Sequence, residues 1–495
     1  MLSPLIPRQR RNVEPSRPCQ RGFTMAFVAI TMVAIISMAA LSIDIGTLYE
    51  AKAEAQRAAD AAALAAAQVI SMSGITTDPT NGSADGSWSA ACGGSASLAT
   101  LAATNVANQN LIGGNAPSKV TVNYGTSAGV GSITDCTGLG AAFGVNPVVQ
   151  VYVQQAKLPT FFARIFSLIP GGTFLNSGVS ATAAAEAFNP SGTATSTMIP
   201  VQPRCVKPWM VPNLDPRNGT CTTTCPSFVD PTSGAITNGG LSPTGVVGET
   251  FSLVPDCGSS GGRRTRPCTI SEPPQAKRGP PPTLDYVPGQ VSSASIAIAA
   301  NSKIAACSEA SRNDYTKAVA GCDQTTVYAC GVSGAGNAAD LTEDPGPPRN
   351  DSANAAECLI NADGAGADLG QDVLAPDPAG PPYNYPFQIN AGTKSALVTA
   401  GGLASGSQIS SSPSIVSLPI YDNTAPPLIG TGSAGTIPVT IVGFLQVFIN
   451  SVGSSGNITV TVMNVAGCGN SAASQPVYGT SPVPVRLITP PVATP

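Results

Sequence analysis

Serines set between glycines are the first residues in this sequence that could do covalent chemistry. "GTSAG", Gly125 to Gly129, follows the strand-like run "KVTVNYG", and "GSSGG" begins at Gly258; both fit the tight turn that exposes a nucleophilic serine. Such a serine needs a base to take its proton, and the chain has no histidine. Both stretches therefore read as turns of small residues. "GTGSAG", Gly430 to Gly435, spaces its glycines like a dinucleotide loop, but "TIPVTIV" follows, a strand signature where a helix N-terminus would have to hold the pyrophosphate. It reads as a loop. Cys221 and Cys225 are spaced C-x3-C without a second tight pair, which argues against a zinc site. "NADGAGADLGQD", Asn361 to Asp372, resembles one calcium loop but lacks tandem copies and a closing bidentate Glu, so it reads as a turn. No catalytic, cofactor-binding or metal site emerges, and the reading is of a protein that is not an enzyme and takes no cofactor.

Composition narrows the class. At 495 residues the chain should hold about two or three domains. Only 11% of residues are charged, and 52 Gly with 45 Pro favour turns and β-structure after the N-terminal region. The net charge of -4 brings no clustered cationic face, so nucleic acid is not an expected partner.

The elements that position these residues begin with "FTMAFVAITMVAIISMAALSI", Phe23 to Ile43, which carries no charge. As a helix it is roughly 30 Å long, the thickness of a bilayer core. Its Thr and Ser hydroxyls can bond back to carbonyls one turn earlier and need not disqualify a span. Arg8, Arg10, Arg11, Arg17 and Arg21 precede it against a single Glu14, while no cationic excess follows. That asymmetry keeps residues 1–22 as a cytoplasmic tail and puts the chain after Asp44 outside. A cleaved leader ending near "SMA", Ser37 to Ala39, competes with this reading, but apolar character continues past that point. Of thirteen Cys only Cys19 precedes the span; twelve follow it, an even number suited to an oxidising exterior. Cys92 and Cys136 are the only thiols of the first exterior region and are the expected pair.

After the span comes "QRAADAAALAAAQ", Gln56 to Gln68, rich in the best helix former and poor in bulk. Leu41, Ile45, Leu48, Ala51, Ala55, Ala58, Ala62, Ala65 and Val69 recur at spacings of three and four. One continuous helix from Phe23 to about Ile70, roughly 70 Å long, is the expectation. Ala51, Ala55, Ala59, Ala63 and Ala67, each one turn apart, let another backbone approach closely, whether of the chain's own exterior or of a neighbour. Asp44 reads as an interfacial carboxylate closing the span, and Asp60 as a solvated helix residue.

Read from Arg21, this pattern resembles the N-terminal module of TadE/TadG-like proteins of the tight-adherence (Tad, Flp pilus) assembly system. The matching elements are the Arg before Gly22, the apolar helix, "DIG" at Asp44 to Gly46, Tyr49, and the run from Gln56 through Asp60. The likeness extends through "PVVQVYVQQAKLPTFFARIFSL" and "VSATAAAEAF" to about residue 190, with looser echoes in "CVKPW", "VGFLQVFI", "GCGN" and "PVRLI". It implies a bacterial single-pass inner-membrane protein whose partners are that membrane and other Tad/Flp assembly proteins, with self-association through the N-terminal helix. It makes Asp44 and Asp60 contacts to a neighbouring subunit. Members cut by a prepilin peptidase carry a Glu five residues after the cleavage Gly; Phe27 stands there, favouring a permanent TadG-like anchor. The von Willebrand type A metal motif of some TadG-like chains is absent, so metal-dependent adhesion is not carried over. A membrane-anchored surface or adhesion protein with the same anchor and no pilus role is the alternative.

The fold class expected is α+β. Residues 23–43 form the transmembrane helix, 44–72 the Ala-rich helix, 73–190 a small α+β domain and 191–495 a β-rich, Pro/Gly-rich region with disulfides. Within 73–190 a helix is expected near Ser97 to Asn110, strands near Lys119 to Tyr124, Val148 to Gln154 and Val179 to Phe188, and a short helix at "LPTFFARIFSL". "RTRPCTISEPPQAKRGPPPTLDY" reads as an exposed, proline-rich linker. Intact-mass measurement of the membrane-extracted protein should recover the Arg-rich N-terminus; a mass beginning after Ala39 would overturn the uncleaved anchor.

Overall fold

Fifty-two residues without a proline or a helix-breaking cluster form α1, Arg21–Met72. The computed structural model describes residues 21–77, 79, 88–158, 177–189, 201–216, 225–240, 242, 245–256, 259–260, 263–264, 269–279, 281–292, 306–309, 313–331, 333–343, 351–362, 370–375, 387–424, 427–431, 433, 435–468, 477–479 and 481–490. The helix expected at "LPTFFARIFSL" and most of the calcium-like loop lie outside these residues, as do Cys19, Cys221, Cys257 and Cys268. α1 stops where Gly74 takes a φ of 77°, a conformation open to glycine and strained for other residues. A Cβ there would also meet Val247 Cγ1 at 2.7 Å.

One side of α1 lies on an antiparallel sheet. Its strands in chain order are β1 (Lys119–Thr126), β2 (Gly129–Val130), β3 (Val148–Leu158) and β4 (Ser177–Ala187). β3 alternates buried and half-buried residues along most of its length, the period of a strand with one covered face. Val149, Val151 and Val153 of β3 join Ala181, Ala183 and Ala185 of β4 and the helix alanines in one core. α2 (Leu98–Gln109) packs beside α1 through Ala99, Ala103 and Ala107. Cys92 and Cys136 are disulfide-bonded over this end, where Trp88 and Phe143 have ring centroids 5.7 Å apart.

The rest of the chain builds a second core. Its strands are β5 (Trp209–Pro212), β6 (Thr250–Pro255), β7 (Thr283–Pro288), β8 (Ser333–Asp340), β9 (Ile415–Tyr421), β10 (Thr436–Val452) and β11 (Ile458–Gly467). Hydrogen-bonded neighbours run β7–β5–β9–β10–β11–β6, and β6 pairs in parallel with β7 through Thr283↔Ser252 to Tyr286↔Pro255. The ring of pairs therefore closes into a six-stranded barrel, which leaves those strands no open edge. Its interior holds Trp209, Phe251, Leu284, Tyr286, Leu418 and Val460. This corrects the linker expectation: Leu284 and Tyr286 are fully buried, and β7 is a wall of the barrel.

The small helices α3 (Asp314–Ala320) and α4 (Asp351–Leu359) pack on that core. Asn313 caps α3 reciprocally with Thr316, and Tyr315 Oη lies 2.9 Å from Ser352 Oγ. Three disulfides, Cys205–Cys322, Cys307–Cys358 and Cys330–Cys468, fasten the periphery. Cys225 is also disulfide-bonded.

One later strand departs from the expected division at residue 190. β12, Val485–Ile488, returns to the first sheet and pairs antiparallel with β4, Val485 opposite Ala187 and Ile488 opposite Ala184. The sheet order is thus β2–β1–β3–β4–β12. Arg486 Nε donates to Glu186 Oε1 at 2.5 Å, and its guanidinium lies 5.4 Å over the Phe188 ring.

Lys207 is 3% exposed and donates to the carbonyls of Gly321, at 2.5 Å, and Ala318 at the end of α3. Burial lowers its ammonium from 10.5 to about 7, partly offset by Asp323. The folded value lies below the unfolded one, so the unfolded chain binds the extra proton between about pH 7 and 10.5. Stability contributed by this group therefore rises with pH through that window and is flat below it. Lys207→Met should abolish a slope worth about 5 kcal/mol across the window, read by denaturant unfolding at pH 7, 8, 9 and 10.

Candidate functional site

Helix α1 has two differently clothed halves. From Met25 to Ile43 its large apolar residues face outward, with Met25 79% and Ile35 61% exposed. From Ala51 onward one face disappears into the molecule: Ala55, Ala58, Ala59, Ala62, Ala63, Ala66 and Ala67 are fully buried. Ala65 and Val69 are only half-buried, so the covered face is turned from the expected stripe toward Ala59, Ala63 and Ala67. Methyl groups alone separate the α1 backbone from β4 and α2, which allows a short helix-to-sheet distance.

A polar flank accompanies that face. Lys52 Nζ donates to the carbonyl of Ser180, and Gln56 Nε2 donates to the carbonyl of Thr182 at 3.4 Å. Four helical residues advance about 6 Å and two strand residues about 6.6 Å, so the two bonds repeat in step. Gln56 Nε2 also donates to Asp60 Oδ1 at 2.8 Å. On the other side Glu54 Oε2 accepts from the Gly113 amide at 2.7 Å.

The structure sorts the residues singled out from sequence into two groups. Gln56, Ala59, Asp60 and Ala63 come together on the covered half. Gly22, Asp44, Gly46 and Tyr49 lie below them along the helix. Asp60 is half-buried and hydrogen-bonded, which corrects its reading as a solvated residue. Asp44 is 2% exposed although Ile43 and Ile45 beside it are 53% and 44% exposed, so it too is covered. A Cβ on Gly46 would meet nothing within 4 Å, and Tyr49 is 74% exposed. Cys92 and Cys136 form a disulfide within the same buried core as Ala59 and Ala63. Ser127 of "GTSAG" is an exposed turn residue between β1 and β2. Among the described residues no group of three or more Cys, Asp or Glu is placed to hold a metal ion.

A polar clasp at the top of α1 was not anticipated. Asn464 of β11 donates from Nδ2 to the Ser71 carbonyl at 2.7 Å and accepts from the Thr77 hydroxyl. Asn189, just past β4, donates to the Val465 carbonyl at 3.0 Å. Asn464 and Asn189 are fully buried, so the end of α1, the end of β4 and the barrel wall share one satisfied network. Its only trace in the sequence is an asparagine inside the apolar run "TVMNVAG".

Enlarging the alanine face tests the close approach. Ala63→Leu should cost about 1–3 kcal/mol of stability by overpacking, measured by denaturation of the full chain in detergent; an unchanged midpoint would contradict the packing described.

Residues 22–69, which span the exposed half, the helical DIG segment and the alanine face, match the Tad family model, described as Flp pilus-assembly TadE/G-like. Neither a curated protein nor a solved structure matches the chain. The N-terminal module of this protein, built on α1, is a TadE/G-like module of the Flp pilus-assembly type.

Proposed function

We propose that the chain is a non-catalytic, membrane-anchored component of Flp/Tad-type pilus assembly or anchoring that works through protein–protein contacts. The supporting observation is the coincidence of the matched residues 22–69 with a helix whose lower half is apolar and uncovered. An exposed run of Met, Ile, Val and Phe on a helix of this length is stable in lipid and costly in water. With the arginines of residues 8–21 retained in the cytoplasm, the span runs single-pass through the inner membrane and the two folded cores lie outside. Ala59 and Ala63 are occupied by the chain's own sheet, so self-association falls to the uncovered half of α1. Covalent catalysis of the Ser-His or Cys-His kind finds no support, since the sequence has no histidine.

Deletion of the gene, complemented with wild type or with Asp44→Asn, tests the role when surface pili and protein level are counted separately. Loss of pili restored by wild type, with Asp44→Asn stable yet poorly piliated, is expected. Normal piliation after deletion would favour an adhesion protein with the same anchor.

A further inference from the structure

Where α1 leaves the span, one side of it is already covered. Ala40 is 8% exposed and Asp44 2% exposed, so the cover on the helix begins below Ile43, the outer end of the apolar run. Next to this covered face opens a groove of about 400 Å³, lined by Ile45, Leu48, Tyr49 and Lys52 of α1 and by Gly178, Val179 and Ser180 at the start of β4. Most of its lining is apolar, and Ile45 and Tyr49 remain 44% and 74% exposed with the whole chain in place.

We propose that this groove is a phospholipid site that seats the exterior sheet on the bilayer surface. It rests on the reading of Phe23 to Ile43 as a membrane span. Continuity with that span is what identifies the occupant. At about 1.5 Å per residue, Ile45 and Leu48 lie about 3 and 8 Å beyond Ile43, within a headgroup layer about 5–8 Å thick, and Tyr49 lies one residue past them with its side chain leaning back toward the helix N-terminus and the span. Ile45 and Leu48 therefore stand at the level of the glycerol backbone and headgroups, where an apolar wall can take the top of an acyl chain. Tyr49 carries its ring and hydroxyl at the depth favoured by interfacial aromatics. Lys52 uses one donor on the Ser180 carbonyl and keeps its remaining donors for a lipid phosphate, its stem lying along the groove. β3 and β4 meet here at Leu158↔Ser177, so the site lies at one end of the sheet. The other occupant on offer is the chain between them, "PTFFARIFSLIPGGTFLN", which has a single charge.

Tryptophan quenching by brominated phospholipid distinguishes these cases. The native Trp88 and Trp209 are 1% and 0% exposed and supply a shielded background. The full chain is reconstituted in phosphatidylethanolamine/phosphatidylglycerol vesicles with bromines near the headgroup or deep in the tail. Val179→Trp and Tyr49→Trp should each lose roughly half of their added emission to shallow bromines, as residues in the interfacial layer would. Ile35→Trp should respond to deep bromines and reports the span by itself. Quenching of Ile35→Trp with Val179→Trp and Tyr49→Trp unquenched overturns the lipid site while leaving the anchor intact, and is the result expected if the linking chain fills the groove. An unquenched Ile35→Trp removes the anchor and the proposal together. Should Val179→Trp lose the protease resistance of the wild type, Tyr49→Trp on the exposed helix surface reads the same groove.

Discussion

Both folded cores depend on how closely the backbone of α1 approaches β4. A helix faced with leucine would stand farther off and could not bring Lys52 and Gln56 to the carbonyls of Ser180 and Thr182. Alanine brings little burial per residue, about one methyl group each, so the face succeeds through the number of its contacts and their short range. The same closeness delivers Ser71 and Thr77 to Asn464, which joins the helix end to the barrel. A single rigid helix thus links an apolar surface suited to lipid with two folded cores.

Local pattern made the first core legible. Period-two runs marked β1, β3 and β4, and "SLATLAATNVANQN" marked α2, because each element's burial repeats within its own residues. The barrel was not legible in the same way. Its closure depends on parallel pairing of Ser252 with Thr283 and of Val211 with Ile420, between segments whose sequences say nothing of each other. The prolines around β7 suggested a linker because they punctuate the chain on both sides of a short buried strand. Asp60 looked solvated because charge and helical position are visible in sequence, while the partner Gln56 and the nearby strand are supplied by the fold. Asn464 stayed hidden because a buried amide is recognised by its partners, and those are 387 and 393 positions away.

The covalent links follow the same division of labour. Cys92–Cys136 and Cys307–Cys358 close loops of 44 and 51 residues within one core each. Cys205–Cys322 and Cys330–Cys468 close loops of 117 and 138, where restriction of the unfolded chain is worth about 4–5 kcal/mol in the chain-entropy account. A β-barrel assembled from distant strands gains most from such long closures, since non-local pairing carries the largest entropic cost.

The return of β12 to β4 sets an order of events for the chain's manufacture. Arg486 and Glu186 meet across 300 positions, so the sheet against α1 keeps an open hydrogen-bonding edge at β4 until Val485–Ile488 has been synthesised. A chain arrested at any earlier point displays that unpaired edge, the kind of surface to which chaperones and aggregating strands attach. Val485–Ile488 therefore acts as a seal: an edge made early in the chain is closed only in copies synthesised as far as these residues.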